Sequence, residues 1–171
     1  MADDGLHWFV AYVKPFFEKK AAQALDSLGV EYFLPLRKTK RQWSDRVKVI
    51  DKVLIPRMIF IHSTLAGRIE PLKVISCIRG YMTKSGSSTP AIIPDNQMRD
   101  FMFVVSNWDD EIKLDTAGFA CGDHVRIISG SLKGLECELV EVSGKSLVAV
   151  DVTHVGKITI EIKRSMVEKI D

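Results

Sequence analysis

The feature that most constrains the fold is a strand–turn–strand pattern in the last third of the chain. Val125 and Ile127 fall on one face of a segment with a two-residue period, the period of a half-buried β-strand. Gly130 and Gly134 bracket the connection to the next strand, where the backbone needs a positive φ or a close approach. Short apolar alternations then recur as far as Lys169. The pattern predicts a closed β-barrel of about 50 residues.

The first hundred residues carry a different pattern, which alternates strands with amphipathic helices. The segment His7–Val13 is aromatic and β-branched, as strands are. Pro15 suits a first helical turn, and apolar residues then recur at helical spacing up to Gly29, where the helix is expected to stop. A second strand is expected from Glu31. These elements predict a βαβ opening.

A basic segment follows. Between Arg37 and Arg57 stand eight basic residues against two acids, a net charge of +6, so the rest of the chain carries −4 of the total of +2. The alternation around Trp43 predicts a β-hairpin with its tip near Ser44. The charge is typical of a contact to nucleic-acid backbone, but a lysine-rich hairpin also protects an edge strand from aggregation. Charge alone leaves both interpretations open.

An acidic stretch divides the chain. After an apolar strand from Val53 to Ile61, in which Pro56 should mark a strand start or a bulge, and a last helix from Asp95, residues 106–118 contain four acids and one lysine. We therefore predict an N-terminal α/β domain over residues 1–105, a flexible acidic linker over 106–118 and an all-β domain over 119–171. The expected fold class is α+β.

The sequence lacks the motifs of most enzyme classes. No phosphate-binding loop, nucleophile elbow or metal-ligand spacing is present, so we predict a protein without catalytic residues, metal or cofactor. Cys77, Cys121 and Cys137 form no C-x-x-C pair and are expected to be reduced. Neither a membrane span nor a secretory signal is visible, which predicts a cytoplasmic protein.

Both halves together resemble the NusG family, in which an α/β NGN domain precedes an SH3-like KOW barrel. The resemblance rests on His7–Tyr12, on Leu54–Ile61, on Ile78–Tyr81 and on Val155–Ile162, four segments in the family's order. The opening run resembles the KOW motif at five positions, Gly122, Asp123, Val125, Gly130 and Gly134. Arg57-Met58 stands where the family has Gly-Tyr, and Pro90–Pro94 resembles RfaH. These departures suggest a specialised paralog of the RfaH or UpxY type.

The resemblance implies two surfaces on the NGN domain. An apolar patch would dock on the clamp helices of the largest RNA polymerase subunit, and the matching residues are Tyr12, Ile55, Pro56, Met58 and Phe60. Several of these alternate with core positions, so some could fill the sheet's core instead. Contacts to the non-template strand and upstream DNA would come from Lys14, Lys20, Arg79 and the hairpin residues Arg41, Arg46 and Lys48.

The implied function is transcription antitermination. The protein, a monomer, would bind RNA polymerase, suppress pausing and termination on specific operons such as those for polysaccharides, and recruit a second partner, the ribosome or Rho, through its KOW domain. The alternative is a KOW-containing RNA-binding or ribosome-associated factor that never binds polymerase.

Overall fold

A computed structural model describes residues 5–115, 122–142 and 144–170. The chain divides into two compact units, residues 1–94 and 95–171, and each contains its own antiparallel sheet. The strands of the first unit are β1 (His7–Val13), β2 (Glu31–Phe33), β3 (Leu36–Gln42), β4 (Val47–Val53), β5 (Met58–Ser63), β6 (Ile78–Tyr81) and β7 (Ile92–Ile93). Its helices are α1 (Glu18–Leu28) and α2 (Ile69–Val74).

The main sheet of the first unit has the order β2-β5-β1-β6, and β7 also pairs with β1. Because β1 and β2 are each antiparallel to β5, which lies between them, they run in the same direction. The βαβ opening is therefore split by an inserted strand. Helix α1 ends at Gly29, whose φ of 68° is the left-handed conformation that glycine adopts readily.

The core of this unit lies between α1 and one face of the sheet. Ala11 and Val13 of β1 and Ile59 and Ile61 of β5 point to that face, and Leu25 of α1 packs in the same cluster. All five side chains are buried. The apolar stripe predicted for α1 thus faces the sheet. The residues of β1 and β5 that alternate with these four point to the opposite face of the sheet.

Strands β3 and β4 form a separate two-stranded hairpin, paired from Leu36 and Val53 at the base to Gln42 and Val47 near the tip. The tip lies where the sequence predicted it, since the Trp43 N–H donates to the Arg46 carbonyl at 2.8 Å. The strand predicted over Val53–Ile61 is shorter than expected and begins at Met58. Pro56 lies just before it, which agrees with its inability to donate to a ladder.

The second unit contains α3 (Asp95–Asn107) and a six-stranded antiparallel sheet of order β13-β9-β10-β11-β12-β8. Its strands are β8 (Ile112–Asp115), β9 (Asp123–Ile127), β10 (Glu136–Val142), β11 (Lys145–Val152), β12 (Gly156–Glu161) and β13 (Val167–Lys169). Helix α3 packs on β11, and the Gln97 side-chain carbonyl accepts the Thr153 N–H at 2.7 Å. The prediction of an α+β chain is confirmed.

The acidic stretch 106–118 is partly regular in structure. Helix α3 extends to Asn107, and β8 pairs with β12 so that Ile112 stands opposite Ile160. Ile112 is buried, which explains why a segment with so many acids still joins the sheet. Residues 116–121, including Cys121, lie outside the described residues, whereas Cys77 and Cys137 are buried free thiols.

The glycines of the opening motif occupy positions that other residues fill poorly. A Cβ atom on Gly122 would lie 1.9 Å from the Leu139 carbonyl oxygen, closer than two non-bonded heavy atoms can approach. Gly130 and Gly134 have φ angles of 87° and 93°. Val125 is buried on the inner face of β9. No helix in the described parts of the chain is long and apolar enough to cross a membrane.

Candidate interaction surface

A groove of about 550 Å³ opens at one end of the main sheet of the first unit. Tyr12 of β1 stands directly opposite Met58 of β5 and, on its other side, opposite Gly80 of β6, which has no side chain to fill the space. The groove follows from this pairing. Its lining consists of Tyr12, Val13, Lys14, Pro15, Pro56, Arg57, Met58 and Arg79.

The loop that forms one wall is fixed by backbone hydrogen bonds. Arg57 has a φ of 67°, a left-handed conformation that costs a non-glycine residue about 1 kcal/mol. Its N–H donates to the Glu18 carboxylate at 2.8 Å, and its carbonyl accepts the Val13 N–H, also at 2.8 Å. Glu18 is buried at the start of α1, so it holds this loop from beneath. The side chains of Pro56 and Arg57 consequently project outward.

The residues predicted to bind polymerase divide into two sets. Tyr12 is 39% exposed, and Pro56 and Met58 also contribute surface to the groove. Ile55 and Phe60, by contrast, are 2% and 0% exposed. Phe60 packs against Phe33 with ring centroids 6.2 Å apart. Ile55 and Phe60 are therefore a correction to the predicted set, because both fill the interior, and Tyr12, Pro56 and Met58 are its accessible members.

Cations border the apolar groove. Lys14, Arg57 and Arg79 belong to its lining, which includes no acidic residue. Lys20 lies in the first turn of α1, and the ammonium groups of Lys14 and Lys20 stand 5.3 and 5.5 Å from the centre of the Phe17 ring. Three of the residues predicted to bind nucleic acid are thus gathered at one end of the unit, beside the candidate polymerase surface.

The remaining predicted nucleic-acid contacts lie on the hairpin. Arg41 and Lys48 are direct cross-strand partners, as are Arg37 and Lys52. Like charges that face each other across two strands destabilise the strand pair. This face of the hairpin is therefore better suited to binding a polyanion than to stabilising the hairpin. Arg41 also lies over the ring of Trp43, 5.5 Å from its centre, and that ring is 54% exposed. Trp43 is therefore an exposed side chain and not a buried anchor of the hairpin.

Phe16 was missed by the sequence interpretation. Its side chain is 97% exposed, and its φ is 66°. The Phe17 N–H donates to the Lys14 carbonyl at 3.0 Å, which closes a four-residue turn with Pro15 in second place and Phe16 in third. Pro15 thus precedes the helix instead of opening it. Proline followed by a large residue where such turns prefer glycine was the available signal.

The second unit holds its charges in pairs. Burial alone would raise the pKa of the Glu138 carboxyl, but hydrogen bonds from Lys157 and from the Gly122 N–H hold that pKa below its usual value.

Burial raises the pKa of the Cys137 thiol to about 12, with a further contribution from Asp100. Among the described residues, no group of three His, Cys, Asp or Glu side chains is placed to hold a metal ion.

A two-unit α+β architecture with an apolar, cation-bordered groove defines a class of binding proteins, and comparison with known families identifies that class as transcription factors. Residues 6–102 match the family described as transcription termination factor nusG, which covers more than half of the chain. The chain belongs to the NusG family. Membership of this family, which the sequence motifs predicted, is thereby confirmed.

One solved structure agrees with this chain on the fold. The structure described as "Domain interaction in Thermotoga maritima NusG" covers 97% of this chain and 98% of its own, with 20% identity and a TM-score of 0.53. Two conformations of an MjSpt4:Spt5 complex cover 95% of this chain and 97% and 96% of theirs, at 14% and 15% identity. Their TM-scores of 0.32 and 0.33 are too low to support an argument. No curated protein sequence matches this chain.

Proposed function

We propose that this chain is a transcription elongation and antitermination factor that docks on RNA polymerase through the groove between Tyr12, Pro56 and Met58. The observation that carries the proposal is the juxtaposition of this apolar groove with Lys14 and Arg79 in one lining. A protein contact and a nucleic-acid contact would then be made side by side, as a factor bound beside a transcription bubble requires.

The groove suits a helical partner. Its centre is formed by an aromatic ring, a proline and a thioether, and its border is cationic. Interface centres favour aromatic residues and methionine, and a charged border selects the orientation of the partner. The clamp helices of the largest polymerase subunit are the partner that the family resemblance implies. Bound there, the unit would span the cleft and disfavour the paused state.

Nucleic acid would be held without sequence readout. Lys14, Lys20 and Arg79 carry charges that can neutralise backbone phosphates of the non-template strand or the upstream duplex. On the hairpin, Arg41, Arg46 and Lys48 are exposed and would extend the contact further along the DNA. The opposed cations Arg41 and Lys48 support this role, because a bound phosphate would relieve their repulsion.

The second unit would act as a recruiting arm. We propose that its six-stranded sheet includes an SH3-like KOW barrel beginning at the Gly122 turn. A tethered module raises the local concentration of its partner without a tight interface. The ribosome and Rho are the partners that the resemblance implies. The factor would act in the cytoplasm as a monomer on specific operons, among them those for polysaccharides.

The test is retention of core RNA polymerase by the full chain. Met58→Asp places a carboxylate in the centre of the groove and should weaken retention by about thirty-fold or more, the effect expected at an interface hot spot. Val74→Asp, at an apolar side chain that is 61% exposed on α2, is the matched control and should leave retention unchanged. Equal retention of wild type and Met58→Asp contradicts the proposal.

A second candidate function is an RNA-binding or ribosome-associated factor that does not bind polymerase. The opposed cations and the exposed Trp43 of the hairpin favour it, since they form a nucleic-acid surface that requires no polymerase. The two functions separate in one fractionation. Co-purification with ribosomal subunits after polymerase has been removed supports the second candidate, and read-through of a terminator in transcription with purified polymerase supports the first.

A further inference from the structure

Phe16 has two properties that do not help the fold: one contributes nothing to stability and the other costs free energy. Its side chain is 97% exposed, so the ring gains almost nothing from burial. Its φ of 66° lies in the left-handed region, where the Cβ atom of an L-residue crowds the following carbonyl. Glycine would remove the strain and would sacrifice almost no buried surface. A large aromatic side chain kept in such a position points to a contact made with another molecule.

The turn that carries Phe16 is rigid. Proline fixes φ at the second position of the turn, and the bond from the Phe17 N–H to the Lys14 carbonyl closes it at 3.0 Å. The Lys14 N–H in turn donates to the Cys77 carbonyl at 2.9 Å, which ties the turn to the chain just before β6. The aromatic ring is therefore presented from a fixed base, and little conformational entropy is lost when a ligand binds it.

The surroundings of the turn are basic. Lys14 precedes Pro15, and the ammonium groups of Lys14 and Lys20 both lie within 5.5 Å of the centre of the Phe17 ring, next to Phe16 in the chain. Glu18, the nearest acid in sequence, is buried and engaged by the Arg57 N–H. An exposed aromatic ring beside clustered cations is the arrangement by which proteins bind single-stranded nucleic acid, with bases stacked on rings and phosphates held by cations.

We propose that Phe16 is a base-stacking residue that holds an unpaired base of single-stranded nucleic acid, while Lys14 and Lys20 neutralise the adjacent phosphates. The inference rests on the proposed function, in which these two lysines contact nucleic acid, and it adds the class of ligand: a strand with at least one base free to leave its stack. Duplex DNA offers phosphates to the lysines but no free base face to Phe16. The ring is thus what distinguishes single strands from duplex.

The experiment measures binding of the full chain to a single-stranded DNA containing 2-aminopurine, to the same sequence as RNA, and to the DNA duplex. Phe16→Gly should weaken binding to single strands by about ten-fold and leave binding to the duplex unchanged. The same variant should raise the melting temperature, because it relieves the left-handed strain. Phe16→Trp should restore single-strand binding, and stacking should quench the 2-aminopurine fluorescence. The strand type that loses affinity identifies whether the base comes from DNA or RNA.

Two results would overturn this proposal without touching the docking groove. If Phe16→Gly leaves both single strands bound as tightly as wild type does, the ring is not a stacking residue. If the variant instead loses retention of polymerase while its single-strand affinity is unchanged, the ring contacts protein. Lys14→Ala is the contrasting variant, since it should weaken single strands and duplex alike. Unchanged binding in that variant contradicts the nucleic-acid contact of the proposed function itself.

Discussion

The hairpin of the first unit and the six-stranded sheet of the second both contain cross-strand pairs of charged residues. Around Arg126 the sheet pairs opposite charges, whereas at Arg41 the hairpin pairs like charges. In the sheet, Arg126 stands opposite Glu136 on one side and Glu168 on the other, and its guanidinium lies 2.7 and 3.6 Å from their carboxylates. In the hairpin, Arg41 stands opposite Lys48. The sheet pairs these charges within the fold. The hairpin sets Lys38 opposite Asp51 but Arg41 opposite another cation, and a bound anion would relieve that repulsion.

Backbone strain is distributed in the same way. The turns of the second unit use Gly130, Gly134 and Gly144 for left-handed conformations, although His154 is an exception with a φ of 69°. In the first unit, Gly29 and Gly86 do the same, but the non-glycine residues Phe16 and Arg57 also adopt that conformation, and Arg57 lines the groove. Destabilising choices therefore accumulate on the unit for which we propose polymerase and nucleic-acid contacts. The second unit is built for its own stability, and variants in the two units should respond in opposite ways.

The strongest way to break this comparison is Gly122→Ala, which should destabilise the second unit by about 3 kcal/mol. The added Cβ would meet the Leu139 carbonyl oxygen at 1.9 Å, and this neighbour is backbone and cannot rotate away. The displacement would also disturb the bond from the Gly122 N–H to Glu138. Urea unfolding of the full chain, followed separately for each unit by hydrogen exchange, measures the loss.

Gly144→Ala is the matched control for that variant. Its φ of 77° strains an alanine, but no atom lies within 4 Å of the added Cβ. The expected cost is about 1 kcal/mol, from backbone strain alone. Equal losses in the two variants would show that close packing at Gly122 contributes nothing, and the second unit would lose its distinction as the tightly fitted one.

The Glu138–Lys157 pair should give the second unit a dependence on acid pH. The pKa of Glu138 is lower in the folded state than its usual value, so its stabilising contribution is present above the usual carboxylate pKa. The contribution is lost as the pH falls through the lowered pKa of the folded state. Glu138→Gln should therefore cost about 1 kcal/mol at neutral pH and show a flatter stability profile in acid.

Thermal unfolding between neutral and acidic pH checks this expectation. Glu161→Gln, which breaks the exposed pair with Lys145 at 2.8 Å, is the control and should have a smaller effect. If stability falls more steeply with acid in Glu138→Gln than in wild type, the folded state does not favour the ionised carboxylate. The pKa of Glu138 would then not be lowered by folding.

Much of this fold could be predicted because its periodicities are local. The strands of the second unit and the helix stop at Gly29 follow from residue patterns read over a few positions. Burial was harder to predict. Ile55, Pro56 and Met58 lie in one short apolar run, and the left-handed turn at Arg57 sends the first into the core and leaves the other two at the surface. That turn depends on Glu18, far away in sequence.

The strand β8 and the exposed ring of Phe16 show two further limits. Acidic composition predicted a linker, but the alternation of Ile112 with its charged neighbours was sufficient to pair a short strand with β12. The proline followed by a large residue at Pro15-Phe16 was visible in the sequence, yet the exposure of a side chain is a property of the whole fold. The pairing of β1 with β5 sets Tyr12 opposite Met58, which brings two of the residues that the family motifs implied into one groove.

The smallest predicted effect tests the comparison most directly. Arg41→Glu converts a repulsive cross-strand pair with Lys48 into an attractive one, so it should stabilise the hairpin by about 0.5 kcal/mol. The same change should weaken nucleic-acid binding and reduce its dependence on salt concentration, because a phosphate contact is lost.

Arg126→Glu is the mirror experiment: it sets three carboxylates side by side across β9, β10 and β13, and should lower the melting temperature without altering affinity for DNA. If both variants shift stability in the same direction, the cations of the hairpin and those of the sheet do not differ in their effect on the fold. Opposite shifts, with DNA binding weakened in Arg41→Glu alone, would assign the hairpin cations to an external partner and those of the sheet to the fold.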